Sequence, residues 1–155
     1  MPPLLFRFEL IERRLGHDLQ LRLGSHRTMC DYGPLLDDER YGPGLDTIPL
    51  RLVRLLDQWL SQLRRLRTKA GTALLPYDFS DQSTGWLRVV ATTPERISVE
   101  AGWSAVDGYS VRPLAYLSSA RRIKDFTPIV MGRQECPLEE LITAVEQARA
   151  AFAAA

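Results

Sequence analysis

The sequence contains little histidine and cysteine, and this scarcity narrows the chemistry available to it. Its 155 residues include two histidines, His17 and His26, and two cysteines, Cys30 and Cys136. The histidines lack the H-x-H or H-x-x-x-H spacing of zinc ligands, and the cysteines form no C-x-x-C pair. Cys30 follows His26 by four residues, but no sequence signature of a cysteine hydrolase surrounds it. The sequence therefore predicts no metal site and no cofactor.

Familiar catalytic motifs are also missing. The sequence has no G-x-S-x-G nucleophile elbow, no phosphate-binding P-loop and no G-x-G-x-x-G dinucleotide fingerprint. The sequence therefore lacks the motifs by which common hydrolases, nucleotide-binding enzymes and dehydrogenases are recognised. We therefore predict no catalytic residues and expect that the protein is not an enzyme.

Long hydrophobic runs are absent as well. No segment approaches the ~18 uninterrupted apolar residues that a membrane-spanning helix needs. The N-terminal stretch MPPLLFRFELIERR has no basic region before its apolar run, which Arg7 interrupts, so it does not resemble a signal peptide. These features predict a cytoplasmic protein without membrane contact.

The overall charge is small. A net charge of +1 argues against a general nucleic-acid-binding protein, because such proteins carry a marked excess of basic residues. Apolar residues make up 45% of the chain and charged residues 25%, as in ordinary globular proteins. The length predicts a single domain over residues 1–155. The Ala-rich tail is expected to fray from about residue 150.

Hydrophobic periodicity predicts the first elements of the fold. Residues 4–12 and 18–25 alternate apolar with polar side chains, which indicates an N-terminal hairpin. Residues 47–69 carry a wide apolar stripe at helical spacing, with Pro49 in the first turn.

Period-two segments between residues 73 and 136 predict further strands with short connections, and Pro137 opens a final helix. This order predicts an α+β fold: a single antiparallel sheet of about five to six strands, with two main helices packed on one face. We assign the three tryptophans, Trp59, Trp86 and Trp103, to its core.

Two acidic segments contain the candidate functional residues. Residues 31–46, DYGPLLDDERYGPGLD, hold three glycines, two prolines and five acidic residues, and this composition predicts a long loop. Residues 76–87, PYDFSDQSTGWL, place two aspartates three positions apart among aromatic residues. The candidates for partner binding are Asp31, Asp37, Asp38, Glu39, Tyr41, Asp78 and Asp81.

These segments allow more than one interpretation. Asp78 and Asp81 suit either a general acid/base pair or a turn after a strand, where Asp and Ser bond to their own backbone. The loop lacks the alternating ligands and central glycine of an EF-hand, so its acids are either ordinary surface charge or a contact surface. In a contact surface the acids would attract a basic partner and the tyrosines would anchor it.

The combination of GPLLDDERYGPGLDTIPLRLVRLLDQWL, LPYDFSDQSTGWLRV and VEAGWSAVDGYSVRP resembles the immunity proteins of bacterial polymorphic toxin systems. The resemblance spans nearly the whole chain. It implies a small cytoplasmic, non-enzymatic protein that covers the active site or substrate groove of one cognate toxin. No binding motif is shared across such proteins, so the resemblance assigns no interface residue.

These observations lead to one hypothesis and two alternatives. The hypothesis is an immunity protein that binds and neutralises a cognate protein toxin with a basic surface, by stoichiometric contact. The first alternative is a small hydrolase or transferase that uses Asp78 and Asp81. The second is a self-associating scaffold subunit, with a homodimer as its simplest form.

Overall fold

The computed structural model of the protein describes residues 2–13, 16–37 and 47–155. These ranges contain seven β-strands, two long helices and several short helical turns. The strands are β1 (Phe6–Arg13), β2 (Gly16–Leu23), β3 (His26–Cys30), β4 (Gly71–Phe79), β5 (Thr84–Thr93), β6 (Arg96–Ser104) and β7 (Thr127–Cys136). The helices are α1 (Gly33–Leu36), α2 (Ile48–Arg65), α3 (Leu117–Ala120) and α4 (Leu138–Ala154), with 3-10 turns at Gly108–Ser110 and Pro113–Ala115.

Strands β1, β2 and β3 form an antiparallel meander with one apolar face. Phe8 pairs with Leu21, and both side chains are buried, whereas the neighbouring Arg7 pairs with Arg22 on the opposite face. This arrangement follows from the two-residue period of a strand. The predicted hairpin is confirmed, and β3 extends it through a tight turn in which Gly24 adopts a φ of +60°, a conformation that glycine tolerates.

Strands β4 to β7 form a second antiparallel sheet in chain order. Its strand β5 is buried on both faces, because Trp86 and Leu87 are neighbours on opposite sides and both are fully buried. The segment 105–126 covers the Trp86 side, where Tyr116 meets the indole edge-on with ring centroids 6.3 Å apart. A continuous run of buried residues, Thr84–Leu87, is the result.

The prediction of an α+β fold with antiparallel strands is confirmed, but the prediction of a single sheet is wrong. Among the described residues, seven strands divide into a three-stranded and a four-stranded sheet. The sequence analysis missed β3, which has only five residues. The two sheets meet where β3 ends, because the N–H of Phe79 donates to the carbonyl of Asp31 at 2.9 Å.

Both long helices contact the inner face of the three-stranded sheet through one phenylalanine. The ring of Phe8 stacks on Trp59 of α2 at 5.1 Å and meets Phe152 of α4 edge-on at 5.8 Å. The indole N–H of Trp59 also donates to the carbonyl of Pro76 at 3.1 Å, which joins α2 to β4. One continuous core therefore connects both sheets and both helices.

One of the three tryptophans differs from the expectation of the sequence analysis. Trp59 and Trp86 are fully buried, as predicted, but the assignment of Trp103 to the core is wrong because its side chain is 47% exposed. At the C-terminal end, α4 continues through Ala154, and its Phe152 is buried. The Ala-rich end is helical beyond residue 150, and the fraying expected there stays a prediction. None of the described helices combines the length and apolar character needed to cross a bilayer.

Candidate functional site

Asp78 lies at the corner where β3 meets β4. Its carboxylate oxygen accepts a hydrogen bond from the backbone N–H of Asp31 at 2.7 Å. The neighbouring Phe79 N–H donates to the Asp31 carbonyl. These two bonds hold the ends of the strands together, so Asp78 has a structural role at the junction of the sheets.

The surroundings of Asp78 change its acid strength. Burial raises the pKa of Asp78 to about 6, although the hydrogen bond from the Asp31 backbone opposes this shift. Nearby, burial and the charge of Asp78 raise the pKa of the Cys30 thiol well above its ordinary value. Because the thiolate is the nucleophilic form, Cys30 is a protonated, weakly reactive thiol at neutral pH.

Asp81 lies in an exposed turn just after β4, beside a second turn that begins at Asp107. The Gly108 N–H donates to the carbonyl of Ser80 at 2.5 Å. A Cβ atom on Gly108 would lie 2.5 Å from the carbonyl carbon of Phe79, so only glycine permits this approach. The contact brings the acidic residues of both turns to one region of the surface.

The second turn contributes a charge and an aromatic ring. Asp107 accepts hydrogen bonds from the Ser110 hydroxyl at 2.7 Å and the Ser110 N–H at 3.0 Å, and these bonds lower the pKa of Asp107. The side chain of Tyr109 is 63% exposed, and a Cβ atom on Gly33 would lie 3.2 Å from its hydroxyl. Tyr109 therefore reaches α1, which the exposed Asp37 follows directly.

Trp103 lies on the face of the four-stranded sheet from which Asp78 projects. Asp78 pairs with Gly85 across β4 and β5, and Gly85 pairs with Trp103 across β5 and β6. Paired residues project from the same face of a sheet, and adjacent strands lie ~5 Å apart, so the Trp103 backbone is roughly 10 Å from that of Asp78. We call this region the acidic surface and define it by Asp31, Asp37, Asp78, Asp81, Trp103, Asp107 and Tyr109.

The structure thus brings together four of the seven candidates. Asp31, Asp78 and Asp81 converge at the corner, and Asp37 adjoins it through α1 and Tyr109. Asp38, Glu39 and Tyr41 lie outside the described residues. The segment 31–46, predicted to be a loop, contains the short helix α1, and the fully buried Arg51 of α2 donates to the carbonyl of Leu35 and so ties α1 to α2.

Sequence reasoning missed Trp103, Asp107 and Tyr109. Asp-Gly is a typical turn dipeptide, but the contact of Gly108 with Ser80 is a tertiary feature that the local sequence does not indicate. The position of Trp103 was a partial signal of its exposure. It lies on the apolar face of β6 but at the end of the strand, where the core meets solvent.

The two aspartates of the acidic surface that follow β4 do not form a catalytic pair. Asp78 directs its carboxylate at a backbone N–H, while Asp81 is exposed and accepts from the Ser80 hydroxyl at 3.4 Å. The two carboxylates therefore have different surroundings although they are three residues apart. Within the three described ranges, no group of three or more His, Cys, Asp or Glu residues is placed to hold a metal ion.

Known proteins offer no further guide. No protein-family model matches this chain, and neither a curated protein nor a solved structure is significantly similar to it. Inference about function therefore rests on the acidic surface and on the chemistry of its side chains.

Proposed function

We propose that this chain is a binding protein that neutralises a basic protein partner by covering it with the acidic surface. In the specific form that the sequence resemblance suggests, it is an immunity protein and the partner is its cognate toxin. The observation that supports the proposal most is the convergence of aspartates and two exposed aromatic side chains from separate segments: the β3–β4 corner, α1, the end of β6 and the 107–110 turn.

The chemistry of the surface suits a basic cleft. The pKa of Asp107 is lowered and that of Asp78 is about 6, so both carboxylates are charged at neutral pH. Clustered charges of one sign steer an oppositely charged partner and raise the association rate constant. Exposed Trp and Tyr side chains are the usual anchors of protein interfaces, because they bury a large area with few rotatable bonds.

The enzymatic alternative receives less support from the same residues. An acid/base pair needs two carboxylates directed at one reacting position. Asp78 is engaged with the Asp31 backbone and Asp81 projects from a turn. A raised pKa at Asp78 is explained by its burial at the junction of the sheets.

The experiment measures association between the purified chain and the protein products of the genes that flank its own. The test variant is the double substitution Asp31→Lys with Asp81→Lys, which reverses two exposed charges of the acidic surface. We expect the association rate constant at low salt to fall about tenfold or more, with a smaller change in the dissociation rate constant. The dependence of association on salt should also weaken.

The matched control is Glu95→Lys, which reverses an exposed acid at the β5–β6 turn. This turn lies at the far end of β5, roughly 30 Å from the Thr84 end that adjoins Asp78. We expect the control to associate at close to the wild-type rate. Equal association rates for the double variant and the wild type, with unchanged melting temperatures, would contradict the proposal.

A second candidate function is self-association, as in a scaffold subunit. It is favoured by β7, the outer strand of the four-stranded sheet, where Val130 is 94% exposed and Met131 is 63% exposed. Exposed apolar residues on an edge strand are a common route to pairing between chains. Light scattering at increasing protein concentration tests this candidate, and Val130→Lys should abolish any dimer that forms through this strand.

A further inference from the structure

The outer face of the three-stranded sheet carries a row of three arginines. Arg7 is the direct partner of Arg22 in the β1–β2 register, and Arg22 is the direct partner of Arg27 in the β2–β3 register. Directly paired residues in an antiparallel sheet have Cβ atoms about 5 Å apart and project from the same face. Three guanidinium groups are therefore rooted side by side within roughly 10 Å.

This arrangement is unfavourable without a counter-charge. Like charges placed directly opposite each other destabilise a strand pair, and this row contains two such pairs in succession. Within the described residues, Arg7 forms an ion pair with Glu9 at 3.5 Å, and the two side chains are 71% and 41% exposed. Among the described residues that line this face, one carboxylate, that of Glu9, therefore lies beside three guanidinium groups.

The row also borders a concave surface. A depression of about 260 Å³ on this face is lined by Arg7, Glu9, Gln20, Arg22 and Arg27. Arg22 is the central residue, and its Nε donates to the carbonyl of Gly24 at 3.4 Å. This bond uses one of the five N–H donors of the guanidinium, and the four N–H groups of the terminal nitrogens remain for other acceptors.

We propose that this depression, which we call the arginine row site, binds an anion that carries two or more linked phosphoryl groups. Guanidinium groups form paired hydrogen bonds with phosphoryl oxygens, which explains the use of arginine instead of lysine. A diphosphate offers several oxygens and more than one negative charge, so it can contact neighbouring guanidinium groups and relieve their repulsion. Gln20 adds an amide donor at the edge of the site.

An extended nucleic acid fits this site less well. Proteins that bind single strands combine a long basic groove with aromatic side chains on which bases stack. The row next to the arginines holds Glu9, Gln20 and Met29, so the described residues beside the site supply no aromatic ring. The small net charge of the whole chain points the same way.

The test measures the binding of inorganic pyrophosphate to the full chain by calorimetry and by thermal unfolding, with sodium chloride added to keep the ionic strength constant. We expect pyrophosphate to bind and to raise the melting temperature above that in chloride alone. Arg22→Gln should weaken pyrophosphate binding about tenfold or more, because charge-assisted bonds to the anion are lost. Without the anion, the same variant should melt no lower than the wild type, since the repulsion is relieved.

Arg27→Gln is the second variant. Arg27 is exposed, so its replacement should leave the fold intact even in the case that replacing the half-buried Arg22 destabilises it. Arg65→Gln, an exposed arginine at the end of α2, is the matched control and should bind pyrophosphate like the wild type. Equal effects of pyrophosphate and chloride would overturn the proposal, as would unchanged binding in both row variants. A short single-stranded oligonucleotide that binds more tightly than pyrophosphate would also overturn it, in favour of a nucleic-acid surface.

Discussion

The two sheets of this protein bury their side chains in different ways. The three-stranded sheet has one dry face, where Phe8 meets both long helices, and one wet face with the arginine row. The four-stranded sheet is buried on both faces along β5, because the segment 105–126 covers the side that carries Trp86. A sheet with one dry face keeps a clean alternation in its sequence, whereas a sheet covered on both sides reads as a nearly continuous apolar run.

The largest change in stability should come from truncating a side chain that lies beneath the segment 105–126. We expect Trp86→Ala to lower the free energy of unfolding by about 3–5 kcal/mol, the usual cost of truncating a fully buried large aromatic residue. The counterpart is Gln20→Ala on the wet face of the three-stranded sheet, where a change within about 0.5 kcal/mol is expected. Urea unfolding of both variants measures the contrast, and a similar loss in both would remove the distinction between the sheets.

A smaller loss of stability should follow from a substitution that forces the segment 105–126 away from the four-stranded sheet. A Cβ atom on Gly102 would lie 2.4 Å from the ring of Phe126 and 2.5 Å from the carbonyl oxygen of Thr127, and the backbone atom cannot move aside easily. Gly102→Ala should therefore destabilise the fold by about 1–3 kcal/mol.

The matched control for this prediction is Gly71→Ala in β4, because a Cβ atom there would meet nothing within 4 Å. Chemical denaturation of the two variants provides the comparison. If Gly102→Ala were as stable as Gly71→Ala, the close contact between the segment 105–126 and β6 would be refuted.

The smallest effect concerns the corner between the sheets and depends on pH. The pKa of Asp78 is raised from 3.8 to about 6 in the folded protein, so the folded state holds more protons than the unfolded state between these values. Stability contributed by protonated Asp78 is present below the lower value and is lost as pH rises through the higher one. Asn at position 78 keeps an acceptor for the Asp31 N–H but does not titrate.

We therefore expect Asp78→Asn to gain stability relative to the wild type as pH rises from about 4 to 7, by about 1–2 kcal/mol after allowance for partial solvent exposure. Denaturant unfolding over this range measures the difference. Gln82→Ala, in the exposed turn after β4, removes no ionisable group and is the control, so it should show a constant offset from the wild type. A constant offset for Asp78→Asn as well would show that Asp78 titrates in the folded state as it does in the unfolded chain.

The difference between the sheets also explains what could be predicted from the sequence. The alternation of apolar and polar residues predicted the first hairpin, and the apolar stripe and Pro49 predicted α2. Short elements were harder, because β3 has too few residues to show a period. Its omission hid the division into two sheets.

The candidate surface was predictable only in part. Composition alone drew attention to Asp31, Asp37, Asp78 and Asp81, because clustered acids near aromatic residues are visible in one dimension. The contribution of Asp107 and Tyr109 depends on the backbone contact between Gly108 and Ser80, which joins residues far apart in the chain. The exposure of Trp103 depends on where the core ends, and no local pattern encodes that position.

The hydrogen bonds between Asp31, Asp78 and Phe79 have a mechanical consequence. They join the end of β3 to β4 and so link the two sheets, and the proposed acidic surface lies at this junction. A partner bound at this junction would contact both sheets and oppose their local separation. The backbone amide hydrogens of Asp31 and Phe79 should consequently exchange with solvent more slowly in such a complex than in the free protein.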